Sequence, residues 1–267
     1  MKSSFTNPEV VNGNCYFVSD FHLGSMPKTE SDAREKRIVA WLESIKEEVQ
    51  HLFFLGDIFD FWFEYRHVVP KGFYSFFAKL KELEERGVKF YFFTGNHDMW
   101  VKYYLTENFN MKIYRSQQLF LINGRYCLLG HGDGLGRGEL GYKFVKKMFA
   151  CPVNIFLYGL LPSSWAFGLA RFISQKSRKA DAKRHKTSRQ GEEYMLEYIQ
   201  NFPTENPIQI FIYGHRHFPI EMKIGKRFYF NTGDWLHYDS YLHFPAEGLP
   251  KLYQKSHKKN KKSFSSS

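Results

Sequence analysis

Seven residues with side chains suited to divalent cations stand where apolar runs of the sequence break off. They are Asp20 and His22 after CYFVS, Asp57 after HLFFLG, Asn96 after KFYFFTG, His131 after YCLLG, and His215 and His217 after IQIFIYG. A single Gly-Asp pair, as in GDIFDFW at 56–62, suits an ordinary turn. A lone DxH or GHxH is weak as well, so it is the ordered set that points to chemistry. Oxygen and imidazole donors together suit Mn²⁺, Fe²⁺ or Zn²⁺, and the lack of a well-placed thiolate speaks against a structural zinc site. Seven donors are too many for one cation with an open position. They fit two cations roughly 3.5–4 Å apart that share a carboxylate and clamp the attacking and leaving oxygens of a phosphoryl displacement. Asp57, an anion with two oxygens, is the expected bridge. His97, next to Asn96, is the expected hydrogen-bond donor to a phosphoryl or leaving oxygen, with Asp98 as its orienter. Asp60 reads as a turn residue or as support for a ligand. The other six histidines, His51, His67, His185, His237, His243 and His257, read as surface or packing residues.

Residues spread over nearly 200 positions can meet only if the fold gathers strand ends. The apolar runs are short, rich in Phe, Tyr, Ile and Val, and bounded by glycine, which predicts buried strands. Between the early strands, Ile38, Trp41, Leu42, Ile45 and Val49 share a face at helical spacing, which predicts a helix over 31–49 with Ser31 as its N-cap. Phe73, Phe76, Phe77, Leu80 and Leu83 predict a second helix over 72–86, ended by Gly87. Alternating strands and helices indicate an α/β domain, and in such sheets ligands bind beyond the carboxyl ends of the strands.

The chain of 267 residues is 43% hydrophobic and 19% aromatic, which excludes a disordered protein, and it carries a formal charge of +11. That charge attracts phosphate-bearing partners, whether nucleic acid, nucleotide or anionic lipid. Cys15, Cys127 and Cys151 form no CxxC pair, and the N-terminal segment lacks the apolar core of a secretory signal, so reduced thiols in the cytoplasm are expected. Residues 140–180 hold no acidic residue but seven basic ones: Lys143, Lys146, Lys147, Arg171, Lys176, Arg178 and Lys179. Within them Met148 to Ala170 is uncharged. It approaches the length of a membrane span, yet Pro152, Asn154, Pro162, Ser163 and Ser164 interrupt it. Two short helices turning near Pro162 are expected instead, their apolar faces lining a cleft for acyl chains and the flanking cations resting on anionic headgroups. This makes the protein peripheral to the inner membrane, not integral. From Lys251 onward six lysines and no acid predict a disordered basic tail over 251–267.

The blocks SDFHLG, GDIFD, GNHD, GHGD and GHRH, in this order between residues 19 and 217, resemble those of the calcineurin-like metallophosphoesterases. The resemblance implies a four-layer α/β/β/α sandwich of two mixed sheets over residues 1–250, with a helical lid inserted at about 140–190. It implies one metal on Asp20, His22, Asp57 and His217 and a second on Asp57, Asn96, His131 and His215, with Mn²⁺ first and Fe²⁺ or Zn²⁺ as alternatives. The segments HGDGL, GYKFVKKMFACPVNIFLYGLLP and ARFISQKSRKADAKRHK look like the lid of those members that hydrolyse the pyrophosphate of UDP-2,3-diacylglucosamine in lipid A biosynthesis. That likeness places Glu139, Ser177 and Arg184 near a lipid-linked UDP-sugar. Those members often carry Arg where this chain has His97, whereas His is the general residue of the superfamily. A nuclease or general phosphodiesterase is the competing enzyme reading. The apolar character of the acid-free segment disfavours nucleic acid, whose binding surfaces mix cations with polar or stacking groups. A metal-binding scaffold without activity is the non-enzyme alternative, and it would be expected to lose ligands.

Overall fold

The structure, a computed structural model, describes residues 7–135, 147–170, 172, 174, 190–203 and 206–255. The apolar runs pair into two six-stranded sheets. In one, β2 (Cys15–Val18), β3 (His51–Phe54), β4 (Lys89–Phe93) and β5 (Lys112–Tyr114) lie side by side and parallel. Beyond β2 come the antiparallel strands β11 (Ser240–Phe244) and β12 (Lys251–Gln254). The other sheet has the order β1 (Glu9–Val11), β6 (Gln118–Ile122), β7 (Arg125–Leu129), β8 (Ile210–Tyr213), β10 (Arg227–Thr232), β9 (Pro219–Ile224). In it β7, β8 and β10 are parallel neighbours.

Strand side chains alternate between faces, so each sheet buries two. Cys15, Phe17, Phe53, Leu55 and Phe93 meet Phe120, Cys127, Ile210 and Phe230 between the sheets. On the outer face of the first sheet, Tyr16, Val18, Phe54 and Phe92 are covered by α1 (Lys28–Ile45) and α2 (Tyr74–Glu85). On the outer face of the second, Leu128, Phe211 and Tyr229 pack against Met195 and Ile199 of the helix Gln190–Gln200. These are the four layers expected of the fold. Cys15 and Cys127 are buried free thiols.

Three local expectations need correction. Ser31 is not an N-cap: α1 begins at Lys28 after Pro27, and the Ser31 hydroxyl instead accepts a hydrogen bond from the Gly24 N–H at 2.8 Å. The second helix starts at Tyr74 and not at 72, while Gly87, with φ of 88°, stands directly after its C-cap as expected. The basic tail does not begin at Lys251. β12 pairs residue by residue with β11, and Leu252 packs toward the core between the sheets. Composition hides this because an edge strand needs only alternate apolar residues. Residues 256–267 lie outside the described residues.

The uncharged stretch folds as the helix Pro152–Gly159, opened by a proline that suits a first helical turn, followed by helical residues 163–170. Among the described residues no helix is long and apolar enough to cross a membrane. The pair docks on the loops that follow β3 and β4: Tyr158 packs on Phe63 and on Trp100 at ring distances of 4.9 and 4.8 Å, and Phe167 on Phe61 at 5.3 Å. The indole of Trp100 donates to the Phe149 carbonyl at 2.9 Å. The aromatic residues after GDIFD thus seat the helices beside the strand ends.

Candidate metal centre

Each of the seven donors follows the carboxyl end of a parallel strand. Asp20 and His22 follow β2, Asp57 follows β3 and Asn96 follows β4; His131 follows β7, and His215 and His217 follow β8. Because β2–β4 are neighbours in one sheet and β7–β8 in the other, their loops meet over the top of the sandwich. Asp20, His22, Asp57, His215 and His217 all have positive φ, between 44 and 67°. Non-glycine residues held there cost roughly 1–3 kcal/mol each and persist where surrounding structure imposes them. The loops also approach each other closely enough to require glycine: a Cβ at Gly95 would collide with Asp57, and one at Gly214 with Ser19 and Asp20.

Among the described residues three groups of donor atoms result, one of them His22, Asp60 and His97 and the other two drawn from the seven donors. Of these two, Asp20, His22 and His217 form one, and Asp57, His131 and His215 the other, each with its donor atoms within 4.8 Å of one another. Asn96 joins the second, its Oδ1 lying 3.3 Å from His131 Nε2. The Asp57 Oδ2 faces both clusters, 3.4 Å from His131 Nε2 and 3.9 Å from His22 Nε2. Its Oδ1 is occupied by the His97 backbone N–H at 2.9 Å. Asp20 is divided in the same way: Oδ2 accepts from the Ser19 hydroxyl and from the His215 N–H at 2.9 Å, while Oδ1 sits 3.5 Å from His217 Nε2 and 3.8 Å from His22 Nε2.

The residues behind these donors fix their direction. His131 Nδ1 lies 2.7 Å from the Leu55 carbonyl. A carbonyl only accepts, so Nδ1 carries a proton and Nε2 is the nitrogen that faces the cluster, free to bind a cation once its own proton is displaced. His217 Nδ1 meets Asp234 Oδ2 at 3.2 Å, and the same oxygen is 2.8 Å from Nδ1 of the largely exposed His237. Asp234, at the end of β10, carries the same strand-Gly-Asp signal as Asp57; sequence reasoning left it, and His237, out of the site. Asp98 does not orient His97. Its carboxylate accepts from the backbone N–H of Gly95 at 2.7 Å and of Ile58 at 2.8 Å, tying two loops together. The His97 ring is set instead by the Asp60 carbonyl, 2.9 Å from its Nδ1. The Asp60 carboxylate lies 3.6 Å from His22 Nδ1 and accepts from the hydroxyl of Ser174 at 2.9 Å. Glu139, Ser177 and Arg184 lie outside the described residues, as do six of the seven cations around the stretch, all except Lys147.

The electrostatics of this buried cluster fit a cation. Burial opposes charge on His22, yet Asp20, Asp60 and Asp57 outweigh it and lift its pKa to about 10. His131 is lifted to about 10 against burial, by Asp57 before any other group. Burial and the neighbouring His131 charge together press His215 down to about 3. Burial works against ionisation of Asp57 as well, but His131, His97 and His22 hold it well below the usual carboxylate range. The carboxylates thus demand positive charge at a place that water cannot supply it. The buried Oδ1 of Asp20 and both ring nitrogens of His22 have no hydrogen-bond partner, a condition rare enough to need an explanation. A divalent cation held by Asp20 Oδ1 and His22 Nε2 supplies one for those two atoms, while His22 Nδ1 faces the Asp60 carboxylate at 3.6 Å.

A sequence model of the family described as calcineurin-like phosphoesterase matches residues 14–219. A Porphyromonas gingivalis protein named UDP-2,3-diacylglucosamine hydrolase is 35% identical over 240 residues, 85% of this chain and 92% of that one. A Histophilus somni protein of the same name is 25% identical over 205 residues, 76% of this chain and 83% of its own.

Proposed function

The chain belongs to the calcineurin-like phosphoesterase family and is a hydrolase, and from that premise we propose that it cleaves the pyrophosphate bond of UDP-2,3-diacylglucosamine, giving UMP and 2,3-diacylglucosamine 1-phosphate in lipid A biosynthesis. The observation that carries the two-metal part is the position of Asp57 Oδ2 between the clusters. Asp20, His22, Asp57 and His217 would hold one divalent cation, and Asp57, Asn96, His131 and His215 the other. Mn²⁺ suits this oxygen and imidazole set, with Fe²⁺ or Zn²⁺ as alternatives. Such a pair supplies hydroxide at neutral pH and offsets phosphoryl charge. Asp57 and Asp20 each turn one oxygen inward and fix the other on a backbone N–H. His97, with Nδ1 held by the Asp60 carbonyl, presents Nε2 to the phosphoryl or leaving oxygen. Asp98 keeps the loops of Gly95 and Ile58 in register and so acts by positioning.

The lipid part rests on the names of the relatives and on a cleft of about 600 Å³ that begins at Asp60 and runs between Leu23, Phe61, Val69 and Phe73 on one side and Phe167 on the other. Acyl chains suit such walls. Phe156 and Leu160, by contrast, are each 65% exposed and face away from the cleft. With Trp165 and Phe172 they form an outward apolar surface suited to an anionic membrane, which makes the protein peripheral. Two results are expected. Phe167→Asp raises KM for the diacylated UDP-sugar about 10-fold or more, since an acyl chain in the cleft would then lie against a carboxylate in place of apolar surface, and leaves hydrolysis of bis-p-nitrophenyl phosphate near normal; equal losses on both substrates would assign the residue to folding. Phe156→Asp together with Leu160→Asp releases the protein from anionic vesicles in a sedimentation assay, as high salt does for the basic contribution; undiminished binding would remove this surface from the membrane contact.

Asp234→Ala is expected to lower the affinity of one metal roughly 10–100-fold, the usual effect of removing a carboxylate behind a histidine ligand. Metal titration reads it directly, and two sites of unaltered affinity would refute the role. The proposal as a whole is tested by metal-dependent turnover of the diacylated UDP-sugar, bis-p-nitrophenyl phosphate and single-stranded DNA. Cleavage of DNA with the UDP-sugar untouched would replace this reading with the nuclease one.

A further inference from the structure

Two cavities flank the candidate centre, and they differ in character. The apolar cleft under the helices opens at Asp60, on the side of His22. A smaller cavity of about 160 Å³ lies against His131, walled by Thr94, Tyr114, Ser116, Gln117 and Asp133. The diphosphate-hydrolase reading requires a substrate with an acyl-sugar at one end and a nucleoside at the other. Building on it, we propose that the cavity beside His131 receives the nucleoside, so that the diphosphate spans the centre with its acyl chains toward Phe167 and its base toward Gln117.

The walls match that ligand. The Tyr114 ring, stacked on Phe93 with centroids 5.0 Å apart, gives a rigid aromatic wall, and bases stack on such surfaces. The Gln117 carbonyl oxygen accepts from the Tyr213 hydroxyl at 2.5 Å and from that of Tyr198 at 3.3 Å. This fixes the carboxamide with its N–H groups turned from the tyrosines, as donors for a base carbonyl. Thr94 and Ser116 add hydroxyls that donate or accept, which suits the alternating carbonyl and N–H edge of a pyrimidine. Asp133 adds an acceptor on the His131 side, where a ribose hydroxyl would fall next to a phosphate held at the centre. The cavity has room for one nucleobase and none for an acyl chain, so the substrate has a single direction.

The test compares UMP with ribose 5-phosphate on the Mn²⁺-loaded full chain by calorimetry. The two share ribose and phosphate, so the ratio of their affinities isolates the base. Wild type is expected to favour UMP roughly 10-fold or more, within the range of one stacked base, and Ser116→Tyr, which fills the cavity from an exposed position, to bring that ratio close to one. A ratio near one in wild type, or a full preference kept by Ser116→Tyr, overturns the proposal. Crosslinking of 4-thio-UMP to wild type gives a readout free of any folding effect. Adducts on residues 94 or 114–117 support the assignment, and adducts on residues 68–73 or 163–168 overturn it. Failure of the underlying reading looks different: base preference with no turnover of the diacylated UDP-sugar leaves a nucleotide site and removes the lipid substrate, while turnover without base preference removes only this cavity.

Discussion

Asp57→Ala is expected to abolish turnover of every substrate and to strip the protein of most of its bound metal. Its Oδ2 lies between His131 and His22 at 3.4 and 3.9 Å, so its removal takes a donor from both clusters at once. The effect should lie well beyond the roughly 10–100-fold that loss of a supporting residue costs. Its Oδ1 also accepts the His97 N–H, so the alanine variant leaves that group without its acceptor. Asp57→Asn separates the two roles. It keeps an oxygen for the His97 N–H while removing the negative charge, and it is expected to fold as wild type by circular dichroism yet remain inactive. Elemental analysis of the purified variants gives the metal count. Two equivalents of metal with near-normal turnover in Asp57→Ala would end the two-metal interpretation.

His97→Ala is expected to lower kcat by roughly 10²–10⁴-fold with metal content unchanged, the range for a group that transfers or donates a proton in the transition state. Geometry adds a condition that the sequence could not supply. The Asp60 carbonyl takes the proton on Nδ1, so Nε2 offers an N–H only when the ring is doubly protonated and cationic. In the proposed role His97 would therefore bring charge as well as a proton to the phosphoryl group. His97→Arg separates these contributions, since guanidinium retains the charge and does not release a proton. Recovery of part of the loss is expected if charge stabilisation dominates, which accords with a leaving group that is itself a phosphate. Arg as inactive as Ala would assign the role to proton donation. Loss of metal in His97→Ala would instead make the residue part of the metal site.

The residues that gather at the candidate site were legible in the sequence because the signal is local. A parallel strand in a buried sheet is a short apolar run, and whatever follows it is carried to the carboxyl end. Asp20, Asp57, Asn96, His131 and His215 could be listed from that rule alone. The layered architecture was legible for a related reason: strand and helix periods differ, and helical spacing at Ile38–Ile45 and Phe76–Leu83 placed cover on a sheet, although α1 ends at Ile45 and not at 49. The partition of the donors into two clusters was not in the spacing. It depends on which strands become neighbours, β2–β4 in one sheet and β7–β8 in the other, and strand order is a long-range property. Orientation was equally hidden. Asp98 follows His97 directly, yet it turns to the backbone of Gly95 and Ile58, because a buried carboxylate goes where N–H groups satisfy it. Asp234 reaches His217 from the end of another strand, and Phe156 and Leu160 face outward while Phe167 faces the cleft. An apolar stretch states that a surface will be hidden from water or held against lipid. Which side of each helix serves which purpose is decided by the docking of Tyr158 and Phe167 onto Phe63 and Phe61, a packing event between segments about 100 residues apart that only the folded chain contains.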